Sequence, residues 1–284
     1  SLMSVVSAAG VLSLSGCGGS SSTASTGAAP AAAPVDAAAA EHMQIELTTA
    51  PVGMHPLKTN DAPSTYVNGQ VFETLYRRTV DGTAYEPLLA SDMPEFSEDG
   101  LTATIPLRQD VTFQDGTAFT SADVAYMIDC LKNPDYGSQR PSIVESIDSY
   151  ECPDDNTIVL HLAYPDGVLI AKLAHTNSGI VNSKLEQSGQ DFMTNATGAG
   201  TGAYSFVSMI SGATYELEAY EGYWGGAAEV KKVTFTVVSD EATAIARLQT
   251  GESDFAPVLS ADSYNTISNI AGYTAENESA SAVY

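Results

Sequence analysis

The stretch Ser97–Leu131, SEDGLTATIPLRQDVTFQDGTAFTSADVAYMIDCL, carries the strongest structural signals of the chain. Asp99-Gly100 and Asp115-Gly116 are turn dipeptides, because glycine accepts a positive φ without steric cost. Between them, Leu101–Leu107 alternates threonine with apolar residues and predicts a strand. Pro106 cannot donate a hydrogen bond to a sheet, so we expect it at an edge or a bulge. The first part of the stretch therefore predicts short strands joined by tight turns.

The last third of the same stretch predicts a capped helix. Thr120 is a hydroxyl N-cap, and Asp123 three residues later completes a capping box. Apolar residues then recur at the spacing of one helical face, namely Val124, Met127, Ile128 and Leu131. Asn133-Pro134 ends the helix, since the residue before proline avoids helical backbone. Strands and helix together indicate a self-contained α+β unit that runs from Tyr85 to about Lys184.

The flanking segments predict further strands and helices. Met43–Thr49 alternates as a strand, and a loop over Pro51–Pro63 follows it. Val67, Val71 and Leu75 then form one face of a helix that we expect to end near Arg77-Arg78. The later elements are a hairpin of Tyr204–Met209 and Tyr215–Tyr220, a strand Val233–Val238, and a helix Ala242–Gln249 capped by Asp240 and closed by Gly251.

Composition and motif spacing exclude several classes of function. The 284 residues include 35 acidic and 11 basic residues, a formal net charge of −24, whereas nucleic-acid binding needs a basic surface. The histidines lack the i, i+4 spacing of a zinc-binding helix, and they are His42, His55, His161 and His175. No nucleophile elbow or cysteine–histidine arrangement is present. We predict no catalytic residue, no metal site and no cofactor.

Short motifs follow one another in a specific order along the chain. They are Glu86–Ala90 (EPLLA), Ser97–Leu101 (SEDGL), Leu107-Arg108, Val111–Thr117 (VTFQDGT), Thr120–Val124 (TSADV), Gly200–Tyr204 (GTGAY), Tyr220–Gly226 (YEGYWGG) and Leu248–Asp254 (LQTGESD). This ordered set resembles the family 5 extracellular solute-binding proteins of ABC importers, the oligopeptide- and dipeptide-binding group. The departures are Asp92-Met93 in place of a tryptophan, Gln114 in place of His or Ser, and Ala203 in place of proline.

The resemblance implies a mixed α+β and α/β fold of the periplasmic-binding-protein type (type II, cluster C), truncated before its third domain. Residues 43–84 and 191–284 would form the first domain and residues 85–190 the second. The implied protein is a monomeric, non-enzymatic binding protein that captures peptides and delivers them to an ABC permease and ATPase. Within the family, the solute could instead be a nickel chelate, glutathione or an oligosaccharide. A surface hydrolase is the alternative from another class, and the absence of a catalytic constellation disfavours it.

The two ends of the chain carry separate expectations. Residues 1–17 read as a lipoprotein signal peptide without its basic n-region, because Leu14–Cys17 (LSGC) resembles a bacterial lipobox in which Cys17 receives the lipid. Residues 18–42 are rich in Ser, Gly, Ala and Pro and predict a disordered tether. We therefore expect an extracytoplasmic protein, lipid-anchored to the outer face of the bacterial cytoplasmic membrane, in the periplasm or at the cell surface.

The resemblance also points to ligand-binding residues. In peptide-binding relatives, main-chain groups about four residues after a proline in the loop that follows the first strand pair with the peptide, and here they belong to Asn60, Asp61 and Ala62. Asp61 could also bind a ligand amine. The terminal strand that ends at Tyr284 borders the same cleft. The alternative for the Asn60–Ala62 segment is an ordinary solvated loop.

Three further features have a structural and a functional interpretation. Cys130 and Cys152 are either bridged or two free thiols, and we expect the free thiols. The glycines of Gly198–Gly202 imitate a phosphate-binding loop, but a strand follows them, so we predict a tight turn. Trp224 could stack on a ligand, but we expect it to pack within the protein.

Overall fold

The computed structural model describes residues 41–257, 260–270 and 272–275. The strands are β1 (His42–Leu47), β2 (Tyr76–Arg78), β3 (Tyr85–Pro87), β4 (Glu95–Phe96), β5 (Thr102–Pro106), β6 (Ile147–Asp154), β7 (Thr157–Leu162), β8 (Tyr204–Ile210), β9 (Thr214–Ala219) and β10 (Lys232–Val237). The α-helices are α1 (Ala62–Val71), α2 (Ser121–Lys132), α3 (Leu169–Leu173), α4 (Ser183–Gln187), α5 (Glu241–Thr250) and α6 (Ala261–Ile267). Short 3₁₀ helices span Pro134–Tyr136, Pro141–Val144 and Thr176–Ser178. The described chain is thus a mixture of α and β structure, as predicted.

Two four-stranded sheets organise these elements. The first has the order β1-β10-β9-β8, in which β1 and β10 are parallel and the other pairs are antiparallel. The second has the order β4-β5-β7-β6 and is antiparallel throughout. Strands β2 and β3 form a separate two-stranded ribbon. The helix stripe of α2 packs with the second sheet, and α1 packs with the first.

Each sheet has its own hydrophobic cluster. One cluster joins buried side chains of α2 and of the second sheet, such as Met127, Ile105 and Leu160. The other joins α1 to the first sheet through residues such as Leu47, Val67 and Phe235. Leu57, Leu75 and Tyr76 pack into the first of these clusters although they lie early in the chain. The division into domains proposed from the sequence stays a prediction.

The stretch from Ser97 to Leu131 folds as predicted. Gly100 and Gly116 both have positive φ, at 69° and 86°, and close the two turns. Pro106 is the last residue of β5, and β4 reaches only as far as Thr104, so the missing N–H of Pro106 lies beyond the end of β4. Beyond β4 the proline neighbours, among the described residues, only the isolated bridge of Ala90 with Leu107, where its carbonyl accepts the N–H of Ser91 at 2.9 Å and its nitrogen has nothing to donate.

The first helix is shorter than the sequence predicts. It ends at Val71, and Leu75 is buried outside the helix, while Arg77 and Arg78 belong to β2. The reason is tertiary, because the carbonyl of Val71 accepts the N–H of Gly202 at 2.9 Å. Its start also differs, since Ala62 and Pro63 belong to the helix and not to the preceding loop.

The side chain of Asp123 caps α2 and ties it to α4. Its Oδ2 accepts the N–H of Thr120 at 2.9 Å, and its Oδ1 accepts the hydroxyl of Ser183 at 2.6 Å and the N–H of Ser183 at 3.3 Å. The carboxylate is buried, with 4% of Asp123 exposed. One side chain therefore satisfies buried donors of two helices.

Asp123→Ala is expected to lower the free energy of unfolding by about 2–3 kcal/mol, because it removes a cap and leaves buried donors unpaired. Urea denaturation measures the loss. Asp262→Ala, which removes an exposed acid in the first turn of α6, is the matched control and should change stability by less than about 0.5 kcal/mol. Equal losses in the two variants would contradict the role given to Asp123.

Candidate functional site

The loop between β1 and α1, residues 48–61, contains the segment that the sequence singles out. It begins at the carboxyl end of β1, the edge at which parallel strands of α/β sheets present ligands. Its middle is buried, with His55 1% and Leu57 0% exposed, while Asn60 is exposed. The loop therefore has a buried middle and two exposed ends, residues 49–50 at its start and the Asn60 end, which is termed the accessible end.

His55 and Glu186 form the centre of the buried part. The N–H of Leu57 donates to His55 Nδ1 at 3.2 Å, so Nε2 carries the proton and donates to Glu186 Oε1 at 3.0 Å. The hydroxyl of Tyr136 donates to the same Glu186 oxygen at 2.7 Å. Lys58 completes the cluster, with Nζ 3.6 Å from Glu186 Oε1 and 4.0 Å from the centroid of the Tyr136 ring.

The charge of Glu186 is stabilised despite its burial. Burial raises the pKa of Glu186, but the hydrogen bonds from His55 and Tyr136 and the charge of Lys58 outweigh it, so the pKa lies below its ordinary value. The carboxylate is therefore ionised at neutral pH and holds Lys58 against the protein. Lys58, the single lysine of the loop, is therefore already paired with a carboxylate of the protein.

Further contacts fix the loop from other elements. Asn177 Nδ2 donates to the carbonyl of Pro56 at 2.7 Å and also to the carbonyl of Thr59. Asn68 Nδ2, on α1, donates to Thr59 Oγ1 at 3.1 Å. The N–H of Gln139 donates to the carbonyl of Leu57 at 3.1 Å. Segments far apart in sequence thus hold each part of the loop in one conformation.

The predicted ligand-binding residues Asn60, Asp61 and Ala62 lie together at the accessible end. Asn60 Oδ1 accepts Arg140 Nε–H at 3.1 Å. Asp61 is the N-cap of α1, where Oδ1 accepts the N–H of Ser64 at 2.9 Å, and Ala62 is the first residue of the helix. Asp61 Oδ2 is buried and has no hydrogen-bond partner in the described part of the chain. Half of the Asp61 carboxylate is therefore committed to a structural cap.

Three main-chain groups at this end have no partner in the described residues, whereas the carbonyl of Asp61 accepts the N–H of Thr65 at 3.0 Å. Within residues 41–257, 260–270 and 272–275, no hydrogen bond engages the N–H or carbonyl of Asn60 or the N–H of Asp61. These groups can therefore bond to a ligand without breaking an existing contact. Cys17 and Tyr284, the other predicted site residues, lie outside the described residues.

The structure also contains a cavity that the sequence does not predict. A cavity of about 200 Å³ lies at the carboxyl ends of β1 and β10, against the first turn of α5. Glu46 lines it and is 2% exposed, with Oε1 bound to Arg247 Nε at 3.0 Å and to the hydroxyl of Ser253. The signal that could have indicated it is the position of Thr48 and Val238 directly after two parallel strands.

The glycine segment near Gly200 serves close packing. A Cβ on Gly200 would lie 1.9 Å from the carbonyl oxygen of Val71, and one on Gly202 would lie 2.5 Å from that of Gln70. The segment continues into β8 and not into a helix, and the predicted turn is confirmed at Thr197-Gly198, where Gly198 has a φ of 74°. Because Gly200 and Gly202 have no side chains, the backbone of this segment can lie directly against the backbone at the end of α1.

Trp224 packs within the protein, as predicted. Its Nε1 donates to Glu73 Oε2 at 2.9 Å, and the Arg108 guanidinium lies 3.9 Å from the centroid of its indole ring. Glu73 also accepts the hydroxyls of Tyr223 and Thr201, each at 2.9 Å. Burial raises the pKa of Glu73, although these hydrogen bonds oppose the rise. The cluster is structural, since each Glu73 oxygen already has a partner.

The described residues form neither a disulfide nor a candidate metal site. Cys130 and Cys152 are free thiols, the first buried and the second exposed. The same part of the chain contains no group of three or more His, Cys, Asp or Glu side chains that could hold a metal ion. None of its helices has the length and hydropathy needed to cross a membrane.

Comparison with known proteins gives one consistent result. Residues 84–284 match the family described as bacterial extracellular solute-binding proteins, family 5 (middle). The chain is 32% identical over 205 residues to the glutathione-binding protein GsiB of Pectobacterium atrosepticum, covering 72% of this chain and 39% of that protein. It is 31% identical to GsiB of Salmonella typhi, covering 82% and 45%. The chain thus spans less than half the length of these relatives.

Solved structures agree on the fold. The binding protein AgaA from A. tumefaciens R10, in complex with agropinic acid, is 26% identical with a TM-score of 0.74, covering 80% of this chain and 46% of that one. The oligopeptide-binding protein AppA of Bacillus subtilis, in complex with a nonapeptide, is 24% identical with a TM-score of 0.73, covering 81% and 46%. The predicted periplasmic-binding-protein fold is therefore confirmed for the described part of the chain.

Proposed function

Because the chain belongs to the bacterial extracellular solute-binding proteins of family 5, we propose that it captures a solute outside the cytoplasm for an ABC importer. It would act without catalysis, by closing on the solute and delivering it to the permease and its ATPase. Cys17 would carry the lipid that anchors the monomer to the membrane, and residues 18–40 would tether it. The tether predicted from the sequence is too long by two residues, because the Glu41 carbonyl accepts the N–H of Lys232 and His42 begins β1. The lipid, the tether and the monomeric state rest on the sequence alone.

Peptides are the solute class that we propose first. The observation that carries this is that the N–H and carbonyl of Asn60 and the N–H of Asp61 have no partner in the described residues, on a loop whose other parts are fixed. A rigid row of backbone donors and acceptors suits the main chain of an extended peptide, and it binds without reading side chains. Because the loop is already ordered, little conformational entropy is lost on binding.

Glutathione is a second candidate, favoured by a different observation. The relatives that are about 30% identical to this chain carry the name of glutathione-binding proteins. Glutathione is itself a short peptide, so the same backbone groups would serve it. Its γ-linked glutamate distinguishes it from an α-linked tripeptide, which makes the two candidates separable by direct competition.

Isothermal calorimetry on the protein expressed from its complete reading frame tests the proposal. We expect heat with some peptide of two to five residues, and a loss of up to about tenfold in affinity when one ligand amide is N-methylated, as for removal of one hydrogen bond. An alanine-to-serine change in the same ligand is the control and should change affinity less than about threefold, because side chains are not read.

The outcomes separate the candidates. Heat with glutathione and with none of the α-linked peptides would replace peptides by glutathione. No heat with any di- to pentapeptide or with glutathione would contradict peptide capture. Equal affinity for every N-methylated ligand would show that the main chain of the ligand is not recognised.

A further inference from the structure

Arg140 lies beside the accessible end of the loop and comes from a distant part of the chain. It precedes the 3₁₀ helix Pro141–Val144, and its Nε donates to Asn60 Oδ1 at 3.1 Å. The neighbouring N–H of Gln139 donates to the carbonyl of Leu57 at 3.1 Å, so this backbone runs along the loop. One hydrogen bond of the guanidinium and one of the adjoining backbone therefore place Arg140 next to the unpaired N–H and carbonyl of Asn60.

The rest of the Arg140 guanidinium has no protein partner in the described residues. Three other arginines are bound to carboxylates: Arg77 to Glu86 at 2.6 Å, Arg108 to Asp110 at 2.7 Å and Arg247 to Glu46 at 3.0 Å. In a chain with 35 acidic and 11 basic residues, carboxylates are abundant. An arginine that binds an amide oxygen instead, at the candidate site, keeps its charge for another anion.

The surroundings of Arg140 leave that charge available. Lys58, the other cation of the loop, is held by Glu186 and Tyr136. His175 lies close enough for the Arg140 charge to act on it, and its Nδ1 accepts the N–H of Asn177 at 3.1 Å, which leaves its proton on Nε2. Burial lowers the pKa of His175 and the positive charge of Arg140 lowers it further, so the imidazole is neutral at pH 7.

We propose that Arg140 binds a carboxylate of the captured solute, with Asn60 Oδ1 holding the guanidinium in place. This inference rests on the proposed function and adds a chemical class to it, solutes with a free carboxylate. Arginine presents a planar fork of N–H donors that matches a carboxylate with two parallel hydrogen bonds. A peptide whose main chain pairs with Asn60 and Asp61 would place its terminal carboxylate at this fork.

The test compares trialanine with its C-terminal amide by calorimetry, on the protein from its complete reading frame. Wild type should bind trialanine at least about tenfold more tightly than the amide, the scale of a charge-assisted hydrogen bond. Arg140→Gln should remove this preference and change the affinity for the amide less than about threefold. Arg140→Lys should retain part of the preference, because lysine keeps the charge and loses the fork.

The control is Arg78→Gln, which removes an exposed arginine whose Nε donates to the carbonyl of Gly82. It should leave the preference of wild type unchanged. A general effect of net charge would instead move both variants together.

Each outcome decides the inference. Equal affinities in wild type, or an unchanged preference in Arg140→Gln, would overturn it while leaving peptide capture intact. If neither peptide gives heat, trialanine capture fails, and a titration with glutarate followed by the NMR resonance of Arg140 Nε–H decides the inference separately. A saturable shift of that resonance supports it, and the absence of a shift overturns it.

Discussion

Gly200→Ala is expected to destabilise the protein by more than about 3 kcal/mol, the upper range for overpacked sites. The added Cβ would lie 1.9 Å from the carbonyl oxygen of Val71 and 2.7 Å from its carbonyl carbon. Both are backbone atoms, and the same carbonyl accepts the N–H of Gly202. Relief of the clash must therefore move the end of α1 or the start of β8. Urea denaturation followed by circular dichroism measures the loss.

Gly69→Ala is the matched control. Gly69 lies within α1, three residues before its C-cap, and a Cβ there would have no heavy atom within 4 Å. Alanine has the higher helix propensity, so the variant should gain about 0.5–1 kcal/mol. A loss in Gly69→Ala similar to that in Gly200→Ala would show that the helix, and not the backbone contact, is the sensitive feature.

Glu186→Ala is expected to lower the free energy of unfolding by about 3 kcal/mol, as when one partner of a buried ionic contact is removed. The change leaves the buried Nε2–H of His55 and the hydroxyl of Tyr136 without their acceptor, and Lys58 without its counter-charge. Only 10% of the Glu186 side chain is exposed, so water replaces little of this. Because the loop is anchored here, peptide affinity should fall with stability.

The contribution of Glu186 to the free energy of unfolding should also depend on pH. The pKa of Glu186 is below its ordinary value, so its stabilising contribution is present above the unfolded pKa and is lost as the pH falls through the folded pKa. The difference between wild type and Glu186→Ala should therefore shrink in acid. Glu145→Ala, which breaks the exposed contact with Lys172, is the control and should cost less than about 1 kcal/mol. Equal losses in the two variants at neutral pH would refute the anchoring role.

Local sequence signals predicted much of the fold. The turns at Gly100 and Gly116, the box of Thr120 and Asp123, and the cap of α5 by Asp240 all occur where the sequence places them. These features depend on residues within four positions of each other, so their physics is contained in a short segment. Family motifs added the overall architecture, which the solved relatives bear out.

The same reasoning failed where a distant contact decided the outcome. The apolar spacing of Val67, Val71 and Leu75 suits a longer helix, but the N–H of Gly202 takes the Val71 carbonyl and ends it. The candidate loop was located from the sequence, yet its rigidity was not. That rigidity comes from side chains such as Tyr136, Asn177 and Glu186, each more than 70 residues further along the chain.

The sequence by itself determined the turns, the capped helices, the family and the position of the loop at Asn60–Ala62. Only the tertiary structure decided that Asp61 caps α1, that Glu186 forms an ion pair with Lys58, and that Arg140 lies beside Asn60. The physical reason is the range of the interactions. Caps and turns close hydrogen bonds over a few residues and leave a pattern in the sequence, whereas a contact across 80 positions leaves no periodic signal.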